Sequence, residues 1–201
     1  MTDSIDLPKP RADGALSVER ALQQRRTVRD FGRAPLVLQQ AGQLLWSAQG
    51  ITHGDGLRTA PSAGALYPLN LYLVAGNVTG LGSGVYRYEP ERHRLSRVSA
   101  GDRRAELARA ALEQTWIARA PAVLVFGAIE SRTTQKYGSR GIGYIYIEVG
   151  HAAQNVFLQA EALGLGAAVV GAFADGPVAD LLGTGRQERP LYLMPVGEKA
   201  D

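Results

Sequence analysis

The sequence predicts a single α+β domain, in which one sheet of mostly antiparallel strands is flanked by helices. Helical and strand patterns alternate imperfectly along the chain, and hairpin-like segments occupy its middle, which disfavours a regular succession of βαβ units. The chain has 201 residues, 45% of them hydrophobic and 20% charged. This length and composition suit one soluble domain covering residues 1–201.

The first third of the chain is expected to be an arm followed by two helices. Residues 1–16 form an extended N-terminal arm, because Pro8 and Pro10 disfavour a helix there. Ser17 is a suitable N-cap for a first helix over residues 18–26. Pro35 suits the start of a second helix, whose apolar spacing continues to Gly50. A loop of small residues follows, up to Pro68.

The rest of the chain alternates strand and helix patterns. The sequence predicts strands at residues 69–75, which are bounded by Pro and Gly, and at 122–129, which form a continuous apolar run. Further strands are predicted at 85–88 and 94–98, joined through Pro90, and at 167–173 and 191–196. Helical spacing predicts helices at residues 103–116, 144–163 and 178–182. The helix over 144–163 is apolar nearly all round and is closed by Gly164, so it is expected to be central or at an interface.

Composition excludes several classes of function. There are no cysteines, which excludes disulfides, thiolate catalysis and Cys-based metal sites. A net charge of +3 suits a small anionic ligand but falls short of a nucleic-acid-binding protein. The N-terminus lacks the apolar segment of a signal peptide, and the longest apolar run is too short to cross a bilayer. We therefore expect a cytoplasmic protein with no nucleic-acid or membrane partner.

Two apparent motifs have simpler structural explanations. Gly164-Leu165-Gly166 follows a helix and precedes a strand, the reverse of the order in a dinucleotide-binding turn. Glu148 and His151 have the spacing of a di-iron ligand pair, but no second copy exists. With Asn155 and Gln159 they form a polar stripe, which is interpreted as a hydrogen-bonded seam at an interface or ligand site.

Two further segments have chemical potential. The cluster Arg25-Arg26-Thr27-Val28-Arg29 could place several guanidinium groups around an anion, or could simply be a solvated helix end. The loop from Pro61 to Pro68 is built of small residues that allow the backbone to approach a flat ligand, although a plain surface loop would look the same.

Five motifs in order resemble the nitroreductase-like flavoproteins, specifically the azoline dehydrogenases of streptolysin-type (SagB) and cyanobactin-type (ThcOx) peptide maturation. The motifs are Ile5-x-Leu7-Pro8-x-Pro10; Arg25-Arg26-Thr27-x-Arg29-x-Phe31; Pro61-Ser62-Ala63-Gly64-Ala65-Leu66-Tyr67-Pro68; Lys136-Tyr137-x-x-Arg140 followed by Gly150-His151-Ala152-Ala153-Gln154-Asn155; and Ala162-Leu163-Gly164-Leu165-Gly166 leading to Val170-Gly171. Their order and spacing span almost the whole chain.

The resemblance implies a nitroreductase-like fold and an intertwined homodimer with FMN at the subunit interface. It implies that the phosphate and ribityl chain are held by Arg25, Arg26, Thr27 and Arg29. It places the partner subunit's loop of Pro61, Ser62, Ala63 and Gly64 on the flavin ring, and the backbone of Val170 and Gly171 at the N5 edge. Lys199 is a shortened substitute for the basic C-terminal segment of many relatives.

The resemblance also assigns catalysis to Lys136 and Tyr137, which match a Lys–Tyr pair of azoline-oxidising relatives. Oxidation of a thiazoline or oxazoline requires removal of a proton from carbon while a hydride passes to the flavin, and a Tyr or a desolvated Lys could be that base. A loop pair that only lends solvation is the structural alternative. Ala65 and Tyr67 replace the Asn and Gln that general nitroreductases usually carry, which favours the azoline branch.

The leading hypothesis is an FMN-dependent dehydrogenase acting on azoline rings of a small-molecule or peptide substrate, with dioxygen as the final oxidant and room for a partner protein of peptide maturation. The first alternative is a nitro- or quinone-reductase that uses NAD(P)H. The non-enzyme alternative is a flavin-free scaffold or partner-binding subunit. No metal site is expected.

Overall fold

The computed structural model describes residues 4–185 and 187–200, in which helices cover both faces of a central sheet. The strands are β1 (Ser4–Asp6), β2 (Leu36–Val37), β3 (Leu69–Ala75), β4 (Val78–Thr79), β5 (Gly84–Glu89), β6 (Arg94–Ala100), β7 (Ala122–Ala128), β8 (Leu165–Ala167) and β9 (Arg189–Glu198). The helices are α1 (Val18–Gln24), α2 (Leu38–Gln49), α3 (Arg104–Ala110), α4 (Ser131–Tyr137), α5 (Arg140–Ala162) and α6 (Asp175–Leu182).

Seven strands form one sheet in the order β1-β6-β5-β3-β7-β9-β8, and every neighbouring pair is antiparallel. β2 and β4 form a separate parallel pair. The predicted α+β class with a central antiparallel sheet flanked by helices is therefore confirmed. Within residues 4–185 and 187–200, no helix has both the length and the apolar character needed to cross a membrane.

The central strands β3 and β7 are buried on both faces, and this explains why their sequences are predominantly apolar. In β3, Leu71 and Leu73 pack into the core beneath α2 and α5, whereas Tyr72 and Val74 pack towards α3 and α6. β7 alternates in the same way. Because successive strand residues point to opposite faces, one apolar run supplies both cores.

The long helix α5 organises the side of the sheet that carries the candidate site. Its buried face packs against α2 and the sheet, and it ends where Gly164 takes the left-handed conformation, with φ of 72°. This end was predicted from Gly164, since glycine adopts positive φ without strain. The helix begins at Arg140, four residues before its expected start.

Three predicted elements differ from the structure for identifiable reasons. α2 begins at Leu38 rather than Pro35, because residues 36–37 instead pair with β4. The helix expected over 103–116 ends at Ala110, since Leu112 and Glu113 have φ of 57° and 58° and a 3₁₀ turn follows at Thr115–Arg119. The strand expected over 167–173 is only β8, beyond which Val170 makes a single bridge to Leu193.

Part of the predicted N-terminal arm belongs to the sheet. β1 pairs with β6 at the sheet edge, and Gln43 holds the backbone of Arg11 through hydrogen bonds of 2.8 and 3.1 Å. Residues 1–3 of the predicted arm lie outside the described part of the chain. α4 is an additional helix whose polar sequence gave no apolar periodicity, so Lys136 and Tyr137 lie in a helical turn and not in a loop.

Candidate active site

The loop from Pro61 to Pro68, called here the Pro-Ser loop, has a fixed conformation anchored to α5. The backbone N–H of Tyr67 donates to Ser62 Oγ at 2.9 Å, and that hydroxyl donates to Glu148 Oε2 at 2.5 Å. Gly64, Ala65 and Tyr67 all have positive φ, a conformation that costs about 1 kcal/mol or more for a residue other than glycine. Ser62 therefore closes the loop and ties it to the central helix.

Glu148 is a buried carboxyl group beneath this loop. Glu148 is 2% exposed, and this burial raises the pKa of its carboxyl group to about 7. The hydrogen bond from Ser62 and the positive charge of Arg58 lower the pKa and oppose this effect. Its second oxygen, Oε1, has no hydrogen-bond partner among the described residues. From the sequence, Glu148 was recognised only as part of a polar stripe and not as a site residue. Its position as an acidic residue on an otherwise apolar helix was the feature that could have indicated a buried carboxyl group.

Lys136 and Tyr137 converge on the Pro-Ser loop at Gly64. A Cβ atom added to Gly64 would lie 2.7 Å from the Tyr137 hydroxyl and 2.9 Å from Lys136 Nζ, so both polar groups touch the glycine's open face. The Tyr137 ring packs edge-on against Tyr144, with centroids 5.1 Å apart. The structure thus brings together the predicted catalytic pair and the predicted flavin-contacting loop.

The predicted phosphate-binding arginines follow α1 as an uncompensated cationic segment. The guanidinium of Arg25 lies 5.2 Å from the centroid of the Phe157 ring, and that of Arg29 lies 5.8 Å from a ring of Trp116. Arg26 donates to the carbonyls of Gln23 and Arg25 at 2.9 and 2.8 Å. Within the described chain none of the three pairs with a carboxylate. Their positive charge is available for an anion.

Thr27 and Lys199 lie beside these arginines at the edge of the sheet. Thr27 is exposed and bridges to Ala167 of β8, and Lys199 bridges to Phe31. However, Lys199 Nζ donates to both carboxylate oxygens of Glu161, at 2.8 and 3.0 Å. Its charge is therefore already compensated, and the arginines are the stronger anion ligands.

Val170 and Gly171 differ in what their backbones can offer a ligand. The N–H and C=O of Val170 both bond to Leu193, at 2.8 and 3.0 Å. Gly171 is exposed and adjoins Tyr192, with ordinary contact distances for a Cβ placed there. Of this predicted pair, Gly171 is the residue whose backbone can face a ligand.

Within one chain these residues form two separate groups along α5. The Pro-Ser loop is bound at Glu148, whereas Arg25 contacts Phe157, nine residues further along the same helix. Nine helical residues correspond to about 14 Å along the helix axis. One subunit therefore does not bring the Pro-Ser loop and the arginine segment into direct contact.

Three members of the predicted polar stripe on α5 form hydrogen bonds to other parts of the chain, and its location at an interface or ligand site stays a prediction. Beyond the Ser62–Glu148 bond, Asn155 Nδ2 donates to the carbonyl of Thr59 at 3.2 Å, and Gln159 accepts from Gln43 at 3.0 Å. His151 is exposed on another side of the helix. Over residues 4–185 and 187–200, no group of three or more side chains is arranged to hold a metal ion.

Comparison with known proteins assigns the family. The family model described as the nitroreductase family matches residues 22–198, which is most of the chain. The chain belongs to the nitroreductase family. A protein of Methanocaldococcus jannaschii that is named as a nitroreductase, MJ1384, is 44% identical over 201 residues, with both chains covered completely. Membership identifies the protein as an oxidoreductase of the nitroreductase family.

Solved structures agree with this assignment and confirm the predicted nitroreductase-like fold. A nitroreductase-like protein of Ralstonia eutropha JMP134 is 29% identical, with a TM-score of 0.86 over 98% of this chain and 90% of the other. A chain of the Escherichia coli microcin synthetase complex McbBCD, solved with truncated pro-MccB17, is 25% identical, with a TM-score of 0.76 over 97% of this chain and 78% of the other.

Proposed function

We propose that the protein is an FMN-dependent dehydrogenase that oxidises azoline-type rings in a peptide or peptide-like substrate, with dioxygen as the final electron acceptor. The observation that carries the proposal is the convergence of Lys136 and Tyr137 on Gly64 of the Pro-Ser loop. The similarity to the microcin synthetase chain supports the same branch of the family. A partner protein of peptide maturation is compatible with that similarity.

The residues present fit FMN. Among the described residues, Arg25, Arg26 and Arg29 have no carboxylate partner, so their charge can serve a phosphate dianion. Gly64 presents a bare backbone surface to the Lys–Tyr pair, and Gly171 is exposed for contact with a ring edge. Because these groups lie apart on one chain, we place the flavin between two subunits, with arginines from one and the Pro-Ser loop from the other.

The chemistry requires the ring to lose two hydrogens, one as a hydride from carbon and one as a proton from the adjacent carbon, to give the aromatic azole. FMN, when bound, would supply the hydride acceptor, with dioxygen as the final oxidant that is reduced to hydrogen peroxide. The chain supplies the base, which accepts the proton at the phenolic oxygen of Tyr137 or at Nζ of Lys136. The Pro-Ser loop orients both groups through Gly64, and Tyr144 limits the movement of the Tyr137 ring.

The matched test is Tyr137→Phe against Tyr144→Phe. Both changes remove one hydroxyl from the same aromatic pair, but only the Tyr137 hydroxyl touches Gly64. With a peptide-like thiazoline as substrate, we expect Tyr137→Phe to keep its flavin and lose about 10²-fold or more in turnover. Tyr144→Phe should stay within a few-fold. Equal turnover in both variants would remove the catalytic role of Tyr137.

The second candidate is an NAD(P)H-dependent nitro- or quinone-reductase, favoured by the name of the Methanocaldococcus jannaschii relative. Oxidation of NAD(P)H with a nitroarene or quinone measures it directly. Rapid turnover there, with none on a thiazoline, would replace the dehydrogenase by this reductase. Denaturing the purified protein and identifying the released chromophore tests both proposals: no FMN, and none taken up on incubation, leaves a flavin-free scaffold or partner-binding subunit.

A further inference from the structure

A cavity of about 510 Å³ is lined by residues of the Pro-Ser loop and of the β5–β6 hairpin. Three arginines from different parts of the chain line it, namely Arg58 before the loop, Arg87 on β5 and Arg132 on α4. Its volume lies in the range of small-molecule sites. None of these arginines belongs to the predicted flavin-binding segment.

Arg87 and Arg132 point at one neutral oxygen. Both donate to Asn70 Oδ1, at 3.4 and 3.2 Å, and Arg132 also donates to the carbonyl of Tyr67 at 3.2 Å. In the part of the chain that the structure describes, neither arginine pairs with a carboxylate; the nearby Glu188 binds the amide nitrogen of Asn70 instead, at 2.8 Å. Two guanidinium groups therefore face the cavity with only weak acceptors.

Two further donors in the cavity wall are buried without an acceptor. Gln49 is 1% exposed, and its Oε1 accepts from Arg58 at 3.0 Å, while its Nε2 has no partner among the described residues. The Nε of Arg58 is likewise unpartnered. An unsatisfied buried donor is unfavourable, so such groups commonly indicate a ligand or another acceptor.

The carboxylates of the wall do not cancel this charge. Glu89 is paired with Arg94 at 2.7 Å, and the exposed Glu91 compensates only Arg58, at 3.3 Å. The remaining wall includes Leu66, Leu69 and Leu71; Leu66 is partly exposed and offers apolar surface to the carbon part of a ligand, whereas Leu69 and Leu71 are 2% exposed and lie behind it. The cavity thus combines fixed cations, free donors and an apolar floor.

We propose that this cavity is a binding subsite for an organic oxyanion, a carboxylate or phosphate held by Arg87, Arg132 and the buried donors of Gln49 and Arg58. Its apolar part would lie on Leu66 and its neighbours. Arg132 and Lys136 are four residues apart on α4 and so lie on one face of that helix. The subsite would therefore hold the anionic end of a substrate next to the Lys–Tyr pair. The position of a substrate next to the Lys–Tyr pair rests on the proposed function, whereas anion binding in the cavity does not.

The test is a titration of the flavin-loaded protein with hexanoate, hexyl phosphate and the neutral hexanamide, followed by calorimetry and by the arginine Nε–H resonances. Arg87→Gln removes one cation from the cavity, and Arg92→Gln removes an exposed cation from the same hairpin outside it. We expect Arg87→Gln to weaken binding of the anions at least tenfold. Arg92→Gln should change it less than twofold, and the Arg58 Nε–H signal should shift on binding.

The three probes separate the ligand classes. Tighter binding of hexanoate assigns the subsite to a carboxylate, and tighter binding of hexyl phosphate assigns it to a phosphate. Hexanamide binding as tightly as the anions, or equal losses in the two variants, would overturn the proposal. Because no turnover is measured, an inactive protein that binds hexanoate refutes the proposed reaction and not the subsite.

Discussion

Replacement of Glu148 by Gln should change how the stability of this protein depends on pH. The folded pKa of about 7 lies above the unfolded value of 4.5, because folding buries the carboxyl group under the Pro-Ser loop. Below pH 4.5 both states are protonated, and this stabilising contribution is fully present. As pH rises, the unfolded chain releases its proton first, and the contribution is lost as pH passes through 7. Each unit of pKa difference corresponds to about 1.4 kcal/mol.

The expected size of this effect is about 3 kcal/mol between pH 4.5 and 8. Glutamine keeps an oxygen that can accept the hydrogen bond from Ser62, but its side chain cannot ionise. The Glu148→Gln protein should therefore not lose stability through this group as pH rises. Urea unfolding of both proteins at several pH values, at fixed protein and flavin concentrations, gives the difference in free energy of unfolding. We expect that difference to move by about 2–3 kcal/mol in favour of the variant as pH rises from 5 to 8.

The control is Glu113→Gln, which removes an exposed carboxylate from the loop after α3. An exposed carboxylate loses little hydration on folding. The difference in free energy of unfolding between Glu113→Gln and the native protein should therefore stay nearly constant over the same pH range. If the Glu148→Gln difference is equally constant, Glu148 is ionised in the folded protein at pH 5, and the claim that burial dominates its environment is wrong.

Three other substitutions test the loop, the arginine segment and the core. Gly64→Ala should destabilise the protein by about 0.5–1.5 kcal/mol more than Gly56→Ala in thermal unfolding, because both have positive φ but only the Gly64 methyl group would force the Tyr137 hydroxyl and Lys136 Nζ to move; equal losses would contradict that contact. Arg26→Gln should weaken FMN binding about tenfold or more in a fluorescence titration, since a charge-assisted hydrogen bond contributes about 1.5–3 kcal/mol. The control Arg20→Gln, at an exposed residue of α1, should leave FMN binding unchanged. Leu124→Ala in β7, which is fully buried, should lower the free energy of unfolding by about 2–5 kcal/mol, and a loss below 1 kcal/mol would show that the central strands are loosely packed.

The fold was predictable where local patterns and tertiary packing agree. β3 and β7 are apolar runs bounded by Pro or Gly, and their predicted ends match the structure to within a residue. The break after Ala110 was not predictable, because Leu112 and Glu113 are good helix formers whose positive φ values are imposed by the surrounding structure.

The candidate site was predictable as a set of segments and not as an arrangement. Motifs indicated Gly64, Lys136 and Tyr137, but their contact depends on how α4 docks on a loop about seventy residues earlier in the chain. The arginine cavity had no motif at all, since Arg58, Arg87 and Arg132 come from three distant segments that only the folded chain brings together.

The proposed two-subunit flavin site makes a prediction about the exposed side of α5. Tyr146 and Ile147 are 46% and 56% exposed there, and a Cβ added to Gly143 or Gly150 would meet nothing within 4 Å. This apolar face with open glycines allows a second copy to approach closely. Ile147→Asp should therefore lower the fraction of dimer in sedimentation analysis, and the fraction of bound FMN should fall with protein concentration in the same way. Val98→Asp, on an exposed residue of β6, should change neither fraction. A monomeric Ile147→Asp protein that retains its flavin would show that one subunit is enough to bind FMN. The arginines of one subunit and the Pro-Ser loop of the other would then not bind the same flavin.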